Sequence, residues 1–105
     1  MNLNMEISEF QQKMKDLYFN NDKKRGVHRT CIWLGEEMGE LMSELKFNTN
    51  KINKHAAAEE MADIYAWVAS LANLLDIDLQ SIILSKYSKC PKCHSDPCIC
   101  SKNLP

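Results

Sequence analysis

Residues that interrupt regular structure are scarce, with three glycines and three prolines in 105 positions. That scarcity excludes collagen-like, linker-like and low-complexity architectures. No charge of one sign prevails either. Thirteen Lys and Arg stand against fourteen Asp and Glu, for a net charge of −1, which argues against binding nucleic acid by electrostatics alone. No apolar run reaches the ~18 residues of a membrane span, because Ile64 to Leu75 is interrupted by Ser70 and Asn73. The opening Met1-Asn2-Leu3-Asn4-Met5-Glu6 lacks the basic-then-apolar pattern of a secretion signal. These absences predict one small soluble domain, cytoplasmic and without membrane contact. Strand-like alternation and internal repeats are also missing, which leaves an all-α chain.

Helical periodicity is what the sequence does contain. Met5, Ile7, Phe10, Met14, Leu17 and Tyr18 predict a first helix over 5–19, and the polar segment from Asn20 to Gly26 predicts a break. Val27, Cys31, Leu34, Met38, Leu41 and Leu45 form the stripe of a second helix, Val27 to Lys46. After a loop over Asn48 to Asn53, Met61, Ile64, Val68, Leu71 and Leu75 mark a third helix from His55 to Leu75. A shorter fourth follows from Leu79 to Tyr87. So small a core, with broad apolar arcs on the second and third helices, predicts a bundle of about four helices completed as a homodimer or homotetramer. Residues 1–89 form this domain and 90–105 a Cys-rich tail.

The tail reads Cys90-Pro-Lys-Cys93-His-Ser-Asp-Pro-Cys98-Ile-Cys100, which holds four of the five cysteines. In a reducing compartment disulfides are the poorer reading. Four thiolates at this spacing suit a closed tetrahedral Zn2+ site, structural rather than catalytic, with His94 as a spare ligand. A frayed tail is the bland alternative. Cys31, alone on the apolar stripe, reads as a small core residue.

The second helix carries Glu37 and Glu40, the third Glu60 and Asp63, each pair three residues apart and hence on one helix face. Both pairs border the apolar stripes instead of opposing them, so they are drawn toward an interhelical groove. Folding the two helices back about Asn50 sets Glu40 level with Glu60, Glu37 with Asp63 and Trp33 with Trp67. Four carboxylates without histidine suit a hard cation, Mg2+ or Mn2+. Such a cation completes its shell with water and substrate phosphates, which points to phosphate-ester chemistry.

Glu36-Glu37-Met38-Gly39-Glu40-Leu41 and Glu59-Glu60-Met61-Ala62-Asp63-Ile64 resemble the paired E-x-x-E and E-x-x-D motifs of MazG-like nucleotide pyrophosphohydrolases, in the all-α NTP pyrophosphatase superfamily. Lys86-Tyr87 resembles the basic-aromatic end of that family's last helix, so the resemblance spans about residues 5–89. It implies Mg2+-dependent hydrolysis of an NTP or dNTP to the monophosphate and pyrophosphate, by metal-activated water attack at the α-phosphorus. Glu37, Glu40, Glu60 and Asp63 would hold the metal, and Glu36 or Glu44 would accept the proton of the attacking water. Trp33 could stack on a base or pack against a neighbouring helix, while Trp67 reads as core. Lys86 could reach phosphate oxygens, as could Arg25, Arg29, Lys46 and Lys54, although each of these alone reads as a solvated charge. His28 and His55 read as helix-end polar residues. The competing reading is a non-catalytic helical dimer whose zinc knuckle binds a protein or nucleic acid. Lys89, Lys92 and Lys102, with no aromatic after Tyr87, equip that tail poorly for nucleic acid.

Overall fold

The computed structural model describes residues 4–101. Residues 1–3 of the helical domain and 102–105 of the tail, Lys102 among them, lie outside the described residues. Four helices make the fold: α1 (Ile7–Arg25), α2 (Val27–Leu45), α3 (Lys54–Leu74) and α4 (Leu79–Lys86). A single 3-10 turn, Thr49–Lys51, joins α2 to α3. No strand occurs among the described residues, and the all-α class follows the periodicity.

One boundary differs from the sequence expectation. The polar segment after Asn20 is helical, and α1 runs to Arg25. Lys23, Lys24 and Arg25 occupy its last turn, where cations oppose the negative end of the helix dipole. The break shrinks to Gly26, whose φ of 85° lies where a Cβ is disfavoured. Its N–H donates to the Asp22 carbonyl at 2.8 Å, and its own carbonyl opens α2 by accepting from the Thr30 N–H at 3.1 Å.

The other helix starts are built by side chains. The Asn53 carbonyl oxygen accepts the Ala56 N–H (3.1 Å) ahead of α3. Asp78 accepts the Ser81 N–H (3.2 Å) and hydroxyl (2.8 Å) ahead of α4, and these bonds hold its carboxyl below the usual aspartate range.

Packing is most extensive between α2 and α3, followed by α1 against α3; α4 touches α1. Gln11 pins α1 to the turn between α3 and α4. Its Nε2 donates to Asn73 Oδ1 (3.1 Å) and the Ile77 carbonyl (2.7 Å), and its Oε1 accepts the Leu79 N–H (3.2 Å). Among the described residues no single helix is long and apolar enough to cross a membrane, and the axis turns by 111° between α3 and α4.

Few apolar groups are covered. Met14, Ala57, Ala69 and Ala72 are the fully buried ones among the described residues. Surface amounts to 8312 Å², where a compact monomer of this mass exposes roughly 6,000 Å². Cys31, expected in the core, is exposed. The α2 stripe on which it lies is only partly covered within one chain, Met38 and Leu45 being exposed as well.

Candidate metal centre and adjoining cavity

The α2–α3 pairing brings acids of both helices to one place. Oxygens of Glu37, Glu60 and Asp63 all lie within 4.8 Å of one another. Ligands on opposite sides of one cation, each bonded at roughly 2.0–2.6 Å, stand about that far apart. Glu37 and Glu60 are half-buried, and the Oε2 of each is inaccessible and lacks a hydrogen-bond partner. The Glu60 carboxyl is pushed up to about 7, first by hydrogen bonding with Glu37, then by desolvation and by the charge of Glu40. Acids crowded in this way favour sharing a proton or gaining a cation. Two orphaned buried oxygens and an all-carboxylate donor set fit a hard divalent ion.

Glu37 and Asp63 also line a cavity of about 320 Å³ whose other walls include Tyr18, Asp22, Arg25 and Trp67. Arg25 is fixed from several sides. Its guanidinium lies 4.9 Å from the Trp33 ring and 4.7 Å from the Trp67 ring. The two indoles meet edge to face with centroids 5.5 Å apart. Arg25 Nε donates to Thr30 Oγ1 at 2.9 Å, and the Thr30 hydroxyl donates to the Gly26 carbonyl at 2.7 Å. A further guanidinium N–H of Arg25 bonds Asp22 Oδ1. Asp22 is 1% exposed, and its Oδ2 has no partner.

The expected residues thus divide. Glu37, Glu60 and Asp63 converge; Glu40 stands against Glu60 but outside the tight group. Trp33 and Trp67 are level, as the hairpin register expects. Trp67 departs from its core reading, since it is only half-buried and lines the cavity. Trp33 is 39% exposed and rests on Arg25. Glu44 is half-buried and Glu36 exposed, and neither belongs to the tight group. Lys86 sits at the end of α4 over the Tyr87 ring, 5.6 Å from its centroid, and does not line the cavity. Exposed His55 pairs with Glu59 at 2.5 Å.

Arg25 departs from the solvated-charge reading, its side chain being only 12% exposed. Asp22 is the residue the sequence reading misses, because its segment is rich in Asn, Asp and Lys and ends on glycine, like a loop. A signal exists nonetheless. Met14, Tyr18, Asp22 and Arg25 are spaced four, four and three, which continues one helix face through the polar stretch.

In the tail, the sulfurs of Cys90, Cys93, Cys98 and Cys100 lie within 4.8 Å of one another, with Cys90–Cys100 at 3.7 Å and Cys93–Cys98 at 3.9 Å. Those are contacts between free thiols. They match the edge of a tetrahedron with metal–sulfur bonds of about 2.3 Å, which is about 3.8 Å. Backbone N–H groups of Ile99 and Cys100 donate to Cys93 and Cys98 sulfurs, both at 3.4 Å. N–H donors from Ile99 and Ser95 bring the Cys93 thiol down to about 6, while the other three cysteines push Cys100 up to about 12. His94 is exposed and stands outside the group of four.

Residues 25–96, more than half of the chain, match the family model of the MazG nucleotide pyrophosphohydrolase domain. No curated protein matches the chain.

Proposed function

The chain belongs to the MazG nucleotide pyrophosphohydrolase family, and from that premise we propose that it hydrolyses a nucleoside triphosphate, NTP or dNTP, to the monophosphate and pyrophosphate. Membership supports the general class of activity and a nucleotide as substrate; the metal and the residue roles are our assignment. Glu37, Glu40, Glu60 and Asp63 hold Mg2+, with Mn2+ as the alternative. The observation that carries this reading is the pair of buried, unpartnered Oε2 atoms on Glu37 and Glu60, two carboxyls that each bring an oxygen within 4.8 Å of one of Asp63. Mg2+ supplies neutralisation of phosphate charge and activation of water for attack at the α-phosphorus. Glu36 and Glu44 remain as acceptors for the water proton. Trp33 serves the nucleotide by holding the Arg25 guanidinium beside the cavity, whereas Lys86, off the cavity wall, is given no role in it.

Product analysis on NTPs and dNTPs tests this reading. Monophosphate plus pyrophosphate is expected only with divalent metal, with a loss of at least about a hundredfold in Glu37→Gln and Asp63→Asn. The same assay on Glu36→Gln and Glu44→Gln identifies the proton acceptor as the one with the larger loss of kcat. Diphosphate plus orthophosphate would overturn the mechanism, and no turnover of any nucleotide would favour a binding module.

For the tail we propose a structural Zn2+ on Cys90, Cys93, Cys98 and Cys100, supported by the tetrahedral sulfur spacing. Its free thiols suit a reducing cytoplasm. Metal analysis of the purified protein is expected to find one zinc per chain, lost in Cys93→Ser. Five titratable thiols, Cys31 included, without metal would refute the site. A homodimer or homotetramer is proposed to cover the apolar surface that one chain leaves open.

A further inference from the structure

We infer that Asp22 selects nucleotides whose base carries an exocyclic amino group, an inference that rests on the pyrophosphohydrolase reading above. Asp22 lines the same cavity as Glu37 and Asp63, so a triphosphate held at the acids has room for its nucleoside beside Asp22. About 320 Å³ is within the range of small-ligand pockets, and Tyr18 and Trp67 give it aromatic walls for a flat ring.

The chemistry of the wall at Asp22 is one-sided. Oδ1 of Asp22 is taken by Arg25, and Oδ2 is buried and unpartnered. Arg25 balances the charge through Oδ1, and Oδ2 keeps an acceptor site that no donor of the chain fills. The carboxylate also cannot swing away. Arg25, which grips it, is held by two indoles and Thr30. Nor does Asp22 serve the metal, since it stands outside the cluster of Glu37, Glu60 and Asp63. A donor brought by the ligand would complete the bonding of Oδ2. The amino group of cytosine or of adenine provides one. A keto oxygen at the same position, as in uracil, thymine or hypoxanthine, would set lone pair against lone pair.

The test compares nucleotide pairs that differ at this group, dCTP with dUTP and ATP with ITP, on the full chain and on Asp22→Asn. The wild type is expected to favour the amino member of each hydrolysed pair by about ten- to a hundredfold in kcat/KM, the worth of one hydrogen bond to a charged group. Asp22→Asn keeps an oxygen for Arg25 and gains an N–H2 that donates to a keto oxygen, so its preference is expected to collapse or reverse. Equal use of both members by the wild type, or an unchanged ratio in Asp22→Asn, overturns the inference while leaving the pyrophosphohydrolase reading intact. Absence of any turnover overturns that reading instead. Equilibrium binding of the same pairs then decides for Asp22, followed through the chain's two tryptophans, both of which flank Arg25. Equal affinities refute it.

Discussion

At Glu60 the crowding of acids becomes a dependence on pH. Its carboxyl titrates near 7 in the folded chain against an ordinary value of 4.5. The folded state therefore holds a proton that the unfolded state releases over that window, and the metal-free protein loses stability as pH rises through it. Under chelation the Cys93 thiol, brought down to about 6, contributes the opposite slope, so melting temperatures from about pH 5 to about pH 8 are compared with those of Glu60→Gln. Relative to that variant the wild type is expected to lose stability up to about pH 7 and no further. Added Mg2+ is expected to restore more at the alkaline end. A difference between wild type and Glu60→Gln that stays constant across the window would show that Glu60 is not so crowded. The acids themselves were legible from sequence, since two spacings of three on amphipathic helices fix their face. Asp22 was legible only in its helix face, through the spacing of Met14, Tyr18, Asp22 and Arg25; its ion pair with an Arg25 held by Thr30 and two indoles of other helices has no local pattern.

Helix existence was likewise open to reading, through apolar spacing. The end of α1 was not. Its last turn is composed like a loop and stays helical through basic residues at the dipole and the ion pair of Asp22 with Arg25. Local propensity is weak enough for such tertiary partners to override it. The start of α3 carries a plainer signal in Asn53, which caps the Ala56 N–H. Asn53→Ala is expected to cost about 1 kcal/mol, read as a lower urea midpoint with an unchanged slope. Because α3 carries Glu60 and Asp63, a loss of metal affinity beyond that midpoint shift would mean that the cap also orients the acids.

For the whole molecule, the exposed surface argues for association. Met42 and Tyr65 stand 67% and 71% exposed, on the two helices that also carry the acids. Light scattering on the eluting protein is expected to give at least twice the chain mass, and Met42→Glu to weaken self-association about tenfold or more. A monomer at micromolar concentration would refute the assembly. Sequence could suggest that apolar arcs were too broad for one chain, yet not which face a second copy would cover, since that complementarity would lie between chains. Chain length is constrained within the protomer too. Only Gly26 separates α1 from α2, and Asp22, Arg25 and Thr30 are bonded across it. One residue inserted into the last turn of α1 would rotate what precedes it by about 100° and carry Asp22 off the cavity wall. Insertions between Lys46 and Asn53 face no such penalty, so lineages that lengthen this fold should do so there and keep the Asp22–Thr30 spacing fixed.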